Sequence, residues 1–216
     1  MTTETEQPVD EVFIEVQDVT LRRGGLVVLR DVSFALGPGL HALVGANGSG
    51  KSTLLRALAG ILSPARGTIA ITGHDLWRED VAARRALGYL PESPEFFPYL
   101  TARELLETAG SVRGVGTECG IERFVGWVGE RALDRTLATL SAGQRRKLAL
   151  AAATAADPPV LLLDEPSNTL DVAALDDLRD LLEQARVRCV VLATHNPERL
   201  GLELDRTLTV RDGSVT

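Results

Sequence analysis

The chain reads as an α/β protein with a mostly parallel sheet flanked by helices, an antiparallel β portion near its start, and a helical lobe inserted in the middle. Three observations carry this. Short apolar strands alternate with amphipathic helical patterns in both the first and the last third, as a sheet covered on both faces requires. A glycine-rich loop, Gly45 to Gly50, joins an apolar strand to a helix. The stretch from about residue 75 to 156 is mostly helix-forming instead.

The elements follow in order. Met1 to Asp10 is polar and acidic; it reads as a flexible tail, with residues 11–216 as one domain. It lacks the basic start and apolar centre of a signal peptide. Val12 to Val19 alternates apolar and polar residues, the mark of a strand. Arg22 to Gly25 reads as a turn, and Leu26 to Leu36 as a second strand paired with the first. Leu40 to Val44 is a short apolar strand. Beyond the glycine-rich loop, Leu54, Leu55, Leu58, Ile61 and Leu62 share one helical face, with Gly60 and Pro64 marking its end. Thr68 to Thr72 is a strand closed by Gly73. Helices are expected over Arg103 to Ala109, Ile121 to Val128 and Ser141 to Ala155. Val160 to Leu163 and Cys189 to Ala193 are buried strands. Val172 to Arg186 is a helix with Leu175, Leu178, Leu181 and Leu182 inward. Thr207 to Val210 with Asp212-Gly213 reads as a closing hairpin.

Composition narrows the function. The 216 residues are 44% hydrophobic and 25% charged, an ordinary globular balance. The formal charge of −7 argues against a nucleic-acid partner, because phosphate contacts call for a basic surface. Two cysteines, Cys119 and Cys189, lie far apart and read as reduced thiols. No run reaches the roughly 18 apolar residues of a membrane span; the nearest, Leu148 to Leu163, is cut by Asp157-Pro158-Pro159.

Gly45-Ala46-Asn47-Gly48-Ser49-Gly50-Lys51-Ser52 fits the G-x-x-x-x-G-K-[ST] pattern. Its glycines let the backbone curl so that successive N–H groups face one anion, and the helix beginning near Lys51 adds its positive end. Lys51 is expected to reach the β- and γ-phosphates, and Ser52 to ligate Mg²⁺, with Thr53 next in the cradle. This loop implies a nucleoside triphosphate. No Asn-Lys-x-Asp guanine-reading motif is present. Val160 to Leu163 then ends in Asp164-Glu165, which puts Asp164 at the carboxyl edge of the sheet to hold Mg²⁺ and Glu165 beside it to orient or deprotonate water.

Leu140-Ser141-Ala142-Gly143-Gln144 heads a helix, Ser141 suits its N-cap, and Arg145, Arg146 and Lys147 follow. Read alone, this is either a capped surface helix with a basic face or a functional loop. With the phosphate loop and acidic pair upstream and downstream, it resembles the signature of the ABC ATPase family, across essentially the whole chain. Ala142 departs from the usual Leu-Ser-Gly-Gly-Gln, a variant similar to the loop of haem-exporter and other exporter ATPases. The resemblance implies a P-loop NTPase core with an antiparallel β subdomain and an inserted helical lobe, the ABC ATPase architecture. It implies ATP and Mg²⁺ as ligands and hydrolysis to ADP and phosphate. Ser141, Ala142, Gly143 and Gln144 would close over ATP held by a second subunit, identical or different, in a head-to-tail dimer. Ser167-Asn168-Thr169-Leu170-Asp171 resembles the loop that crosses that interface. In Thr194-His195-Asn196, His195 resembles the switch histidine that contacts the γ-phosphate.

Two positions differ from the common family pattern. Glu92, in Gly88-Tyr89-Leu90-Pro91-Glu92, stands where a glutamine is usual, and remains an oxygen ligand for Mg²⁺ with added negative charge. Arg23 stands near the place of an adenine-stacking aromatic; its guanidinium can stack on a base, or lie solvated. Phe96-Phe97-Pro98-Tyr99-Leu100 is either lobe core or part of a groove for a membrane subunit. The expected role is the ATP-hydrolysing subunit of a transporter, cytoplasmic and held at the inner face of the membrane by a transmembrane permease subunit. The rivals are a soluble ABC ATPase of translation or DNA repair and a binding-only switch.

Overall fold

The computed structural model describes residues 11–114, 116–168, 172–184 and 189–216. Along the chain, β1 (Ile14–Arg23), β2 (Leu26–Leu36), β3 (Gly39–Val44), α1 (Lys51–Leu58), β4 (Arg66–Ile71) and β5 (His74–Asp75) come first. Then follow α2 (Asp80–Arg85), β6 (Leu87–Leu90), α3 (Ala102–Arg113), α4 (Glu118–Val128) and α5 (Ala142–Thr154). The last part holds β7 (Val160–Asp164), α6 (Val172–Gln184), β8 (Cys189–Thr194), β9 (Arg206–Arg211) and β10 (Ser214–Val215).

Two sheets divide the strands. An antiparallel sheet runs β2-β1-β4-β5, and a six-stranded sheet runs β10-β9-β3-β8-β7-β6. In the latter every pairing is parallel except the closing β9–β10 hairpin, where Val215 faces Val210. β7 and β8 show why their sequences are continuously apolar. Val160, Leu162, Cys189 and Val191 pack toward α1 and the antiparallel sheet, while Leu161, Leu163, Val190 and Leu192 pack toward α5 and α6. Period-two alternation with both faces covered leaves no polar position.

The helical part has its own core of Leu106, Phe124, Leu133, Leu137, Leu148 and Ala151. α5 belongs to two cores at once, because Ala149, Leu150 and Ala153 face the sheet. It therefore fastens the helices to the sheet. Among the described residues, no helix is long and apolar enough to cross a membrane.

Several boundaries differ from expectation for physical reasons. β1 runs on to Arg23, and only Gly24 and Gly25 turn, at φ 56° and 83°. Register shifts between Val16 and Arg22 break the two-residue alternation there, hiding the strand's second half. Ile61 does not join the buried helical face: α1 stops at Leu58, Gly60 turns at φ 70°, and Ile61 is 60% exposed. Leu87–Leu90, inside the stretch expected to be helical, is a strand paired to β7 from Leu87↔Val160 to Leu90↔Leu163. Four residues are too few to show a period. Ala185 and Arg186, expected at the end of α6, and Thr169, Leu170 and Asp171 of the interface-crossing motif lie outside the described residues.

Candidate functional site: a phosphate loop and two carboxylates at one sheet edge

The site begins where β3 meets α1. A Cβ on Gly45 would stand 2.4 Å from the Val210 carbonyl oxygen and 2.7 Å from Ser49 Oγ, so the turn closes against β9 only without a side chain. Gly50, at φ 111°, sits at the N-terminal boundary of α1. Lys51 is buried, and its ammonium donates back across the loop to the carbonyls of Gly45 (2.7 Å) and Ala46 (3.1 Å). The loop thus brings its cation and the first N–H groups of α1 to one place, the arrangement that binds phosphate.

β7 lies two strands from β3 and delivers the carboxylates. Ser52 Oγ donates to Asp164 Oδ1 at 3.0 Å. Asp164 is 1% exposed and its Oδ2 is buried without a hydrogen-bond partner. Burial pushes the Asp164 carboxyl above the usual carboxylate range; the Ser52 hydroxyl pulls the other way and the charge of Glu92 adds to the rise. An unpartnered buried carboxylate oxygen beside a hydroxyl suits a hard cation such as Mg²⁺. Among the described residues no group of three or more His, Cys, Asp or Glu could hold a metal alone. A cation here would take a few protein oxygens and complete its shell from phosphate and water.

Glu165 follows at φ 45°, a conformation rare outside glycine. That kink turns its side chain away from the direction β7 would dictate. Three donors fix the carboxylate: Thr194 Oγ1 to Oε2 at 3.1 Å, the His195 backbone N–H to Oε1 at 3.1 Å, and His195 Nδ1 against Oε1 at 2.9 Å. Two sequence candidates separated by 30 residues thereby become one unit at the ends of β7 and β8.

Lys51, Ser52, Glu92, Glu165, His195 and Arg23 all line one cavity of about 450 Å³. Asn47, Gly48, Gly50 and Thr53 line it as well. Glu92 is exposed at its rim. Ser141, Ala142, Gly143 and Gln144 do not line it. They form the start of α5, where Ser141 Oγ accepts the Gln144 N–H at 3.1 Å and the Gln144 side chain accepts the Ser141 N–H at 3.0 Å.

Sequence reasoning missed two residues. Val28 lines the cavity from β2; its only signal was a place on the return strand of the hairpin that carries Arg23. Arg146 is the larger omission. Read in sequence as part of a basic face, it is 4% exposed and points into the protein. Its signal was the surrounding helix, apolar on two sides from Leu148 onward.

This arrangement defines a nucleoside-triphosphate hydrolase of the phosphate-loop class. The sequence profile of the ABC transporter family matches residues 29–168, and the chain belongs to that family as an ATP-binding subunit that hydrolyses ATP. It is 32% identical over 209 residues to an uncharacterised ABC transporter ATP-binding protein, YhcH of Bacillus subtilis, covering 94% of this chain and 68% of that one. A solved ATP-binding subunit of an ABC transporter superposes with TM-score 0.85 at 30% identity, covering 94% of this chain and 88% of that one. The dimeric bacterial ABC transporter cassette MJ0796 superposes with TM-score 0.79 at 26% identity, covering 94% and 96%.

Proposed function

We propose that this chain binds MgATP in the 450 Å³ cavity and hydrolyses it with Glu165 as the residue that orients and deprotonates water. The observation that carries this is the triply held Glu165 carboxylate, aimed into the same cavity as the phosphate loop. Lys51 and the loop N–H groups hold the phosphates, and His195 orients Glu165 and addresses the γ-phosphate. Ser52 and Asp164 would hold Mg²⁺, with Glu92 as a further oxygen; the cation supplies charge neutralisation on the phosphates. Arg23 and Val28 offer a cationic plane and an apolar surface for the base.

The dimeric cassette that this chain resembles supports a dimer, which we take to be a head-to-tail pair. The signature residues, remote from their own chain's cavity, would then complete the partner's site. A separate transmembrane subunit takes up the work and holds this chain at the inner face of the membrane. An apolar groove of about 390 Å³ supports this: Phe96, Leu105, Val112 and Ala149 line it, a few residues from Glu92. Phe96 and Leu100 pack into the helical core, whereas Phe97 and Tyr99 stand 64% and 71% exposed.

Glu165→Gln is the direct test. It keeps the shape and removes the base, so ATP affinity should persist while turnover falls by about 10² or more, and ATP should collect the variant as a dimer. Near-normal phosphate release would remove Glu165 from the role.

A further inference from the structure

Arg146 makes four hydrogen bonds, all to main-chain oxygens of the active-site edge. Nη1 donates to Pro91 (2.6 Å) and Glu92 (2.6 Å), and Nη2 donates to Asp164 (2.8 Å) and Glu165 (2.7 Å). The setting explains why a buried cation is tolerated. Burial depresses its basicity, and the nearby charges of Asp164, Glu92 and Glu165 oppose that loss. Short charge-assisted bonds offset the desolvation.

The position matters more than the strength. The β6–β7 ladder ends at Leu90↔Leu163. Beyond it, Pro91-Glu92 no longer pairs with β7, whereas Asp164 still pairs with Ala193 of β8 and the Glu165 N–H donates to the Ala193 carbonyl at 2.8 Å. The guanidinium spans the gap that the ladder no longer bridges, one fork on each strand end. We propose that Arg146 is a positioning residue for hydrolysis: it locks the backbone of Glu92 to that of Asp164 and Glu165, and so sets where these carboxylates meet the nucleotide. Because Arg146 rides on α5, within about 8 Å of Ser141 along the helix axis, the same clamp ties the signature segment to the catalytic edge of its own chain. The inference rests on the reading of this edge as the hydrolytic site.

Lysine cannot replace this clamp. A single ammonium is a point donor and cannot fork across four carbonyls. The phosphate loop, by contrast, makes no contact with Arg146 in the bonds above, so nucleotide affinity and chemistry should separate. Arg146→Lys and Arg146→Met are compared with the unaltered chain in fluorescent-ATP titration, steady-state phosphate release and thermal melting. Expected for Arg146→Lys is an affinity within about threefold of the unaltered chain and a kcat at least about tenfold lower, since misplacement of about 1 Å can cost 10². Arg146→Met should show the same split more strongly. An unchanged kcat in Arg146→Lys, or affinity and kcat falling by the same factor, overturns the proposal. If Arg146→Met does not fold, Arg146→Lys decides alone. Glu165→Gln measured alongside keeps the two readings apart: full turnover there removes the base assignment, while the Arg146→Lys split reports the clamp independently.

Discussion

The carboxylate of Glu165 and the imidazole of His195 meet at 2.9 Å across the ends of two neighbouring parallel strands. His195 is 53% exposed at its side chain and Glu165 only 8%; both line the cavity, and the carboxylate is the more enclosed of the two, held in place. His195→Ala should lower kcat by about 10² with little change in KM, because the contact orients a group needed only at the transition state. Thr194→Val removes one donor to Oε2 without changing shape, and a loss of about three- to tenfold in kcat is expected. Steady-state phosphate release over a range of ATP concentrations reads both.

Asp164 trades stability for function. Its carboxyl is raised in the fold, so its contribution to stability is complete only below the unfolded value of about 3.9 and is lost as pH rises through the folded value. At neutral pH the buried charge destabilises the nucleotide-free chain. Asp164→Asn should therefore melt higher at pH 7 without nucleotide, by about 2 °C for each ~1 kcal/mol recovered. The same variant should need at least about tenfold more Mg²⁺ for half-maximal ATP binding. Melting curves and Mg²⁺ titrations check the two halves separately.

The two thiols should behave differently. Cys119 is exposed, whereas Cys189 is buried in β8, where burial pushes its thiol to about 12. A thiol reagent at pH 8 should label Cys119 in the folded chain and reach Cys189 only after denaturation. The unfolded thiol ionises near 8.5. Stability from keeping Cys189 neutral is thus full below about pH 8.5 and declines as pH rises toward 12. Cys189→Ala should flatten that alkaline decline in a denaturation series.

The groove beside Glu92 makes a binding prediction. Phe96 lines it and Phe97 does not. Phe96→Ala with Val112→Asp should weaken capture of a co-expressed membrane subunit by about tenfold or more, while ATP hydrolysis by the isolated chain stays within about twofold. Phe97→Ala alone should leave capture nearly unchanged. Equal capture by all variants would place the partner elsewhere.

Local chemistry made much of this site legible in the chain itself. The phosphate loop is continuous, so the glycines, Lys51 and Ser52 are read together. The Asp164-Glu165 pair follows an apolar strand whose direction sets its edge. The Ser141 cap is a three-residue relation, and it forms as expected. Each depends on neighbours in sequence, where spacing alone decides geometry. What spacing could not show was contact between distant segments. The pairing of Leu87–Leu90 with β7, the convergence of Thr194 and His195 on Glu165, and the clamp of Arg146 on four carbonyls appear only after packing. Arg146 looks like a surface charge in the sequence because burial of a cation is decided by acceptors more than 15 residues away in both directions. Those acceptors are backbone oxygens, which every residue carries and no sequence distinguishes.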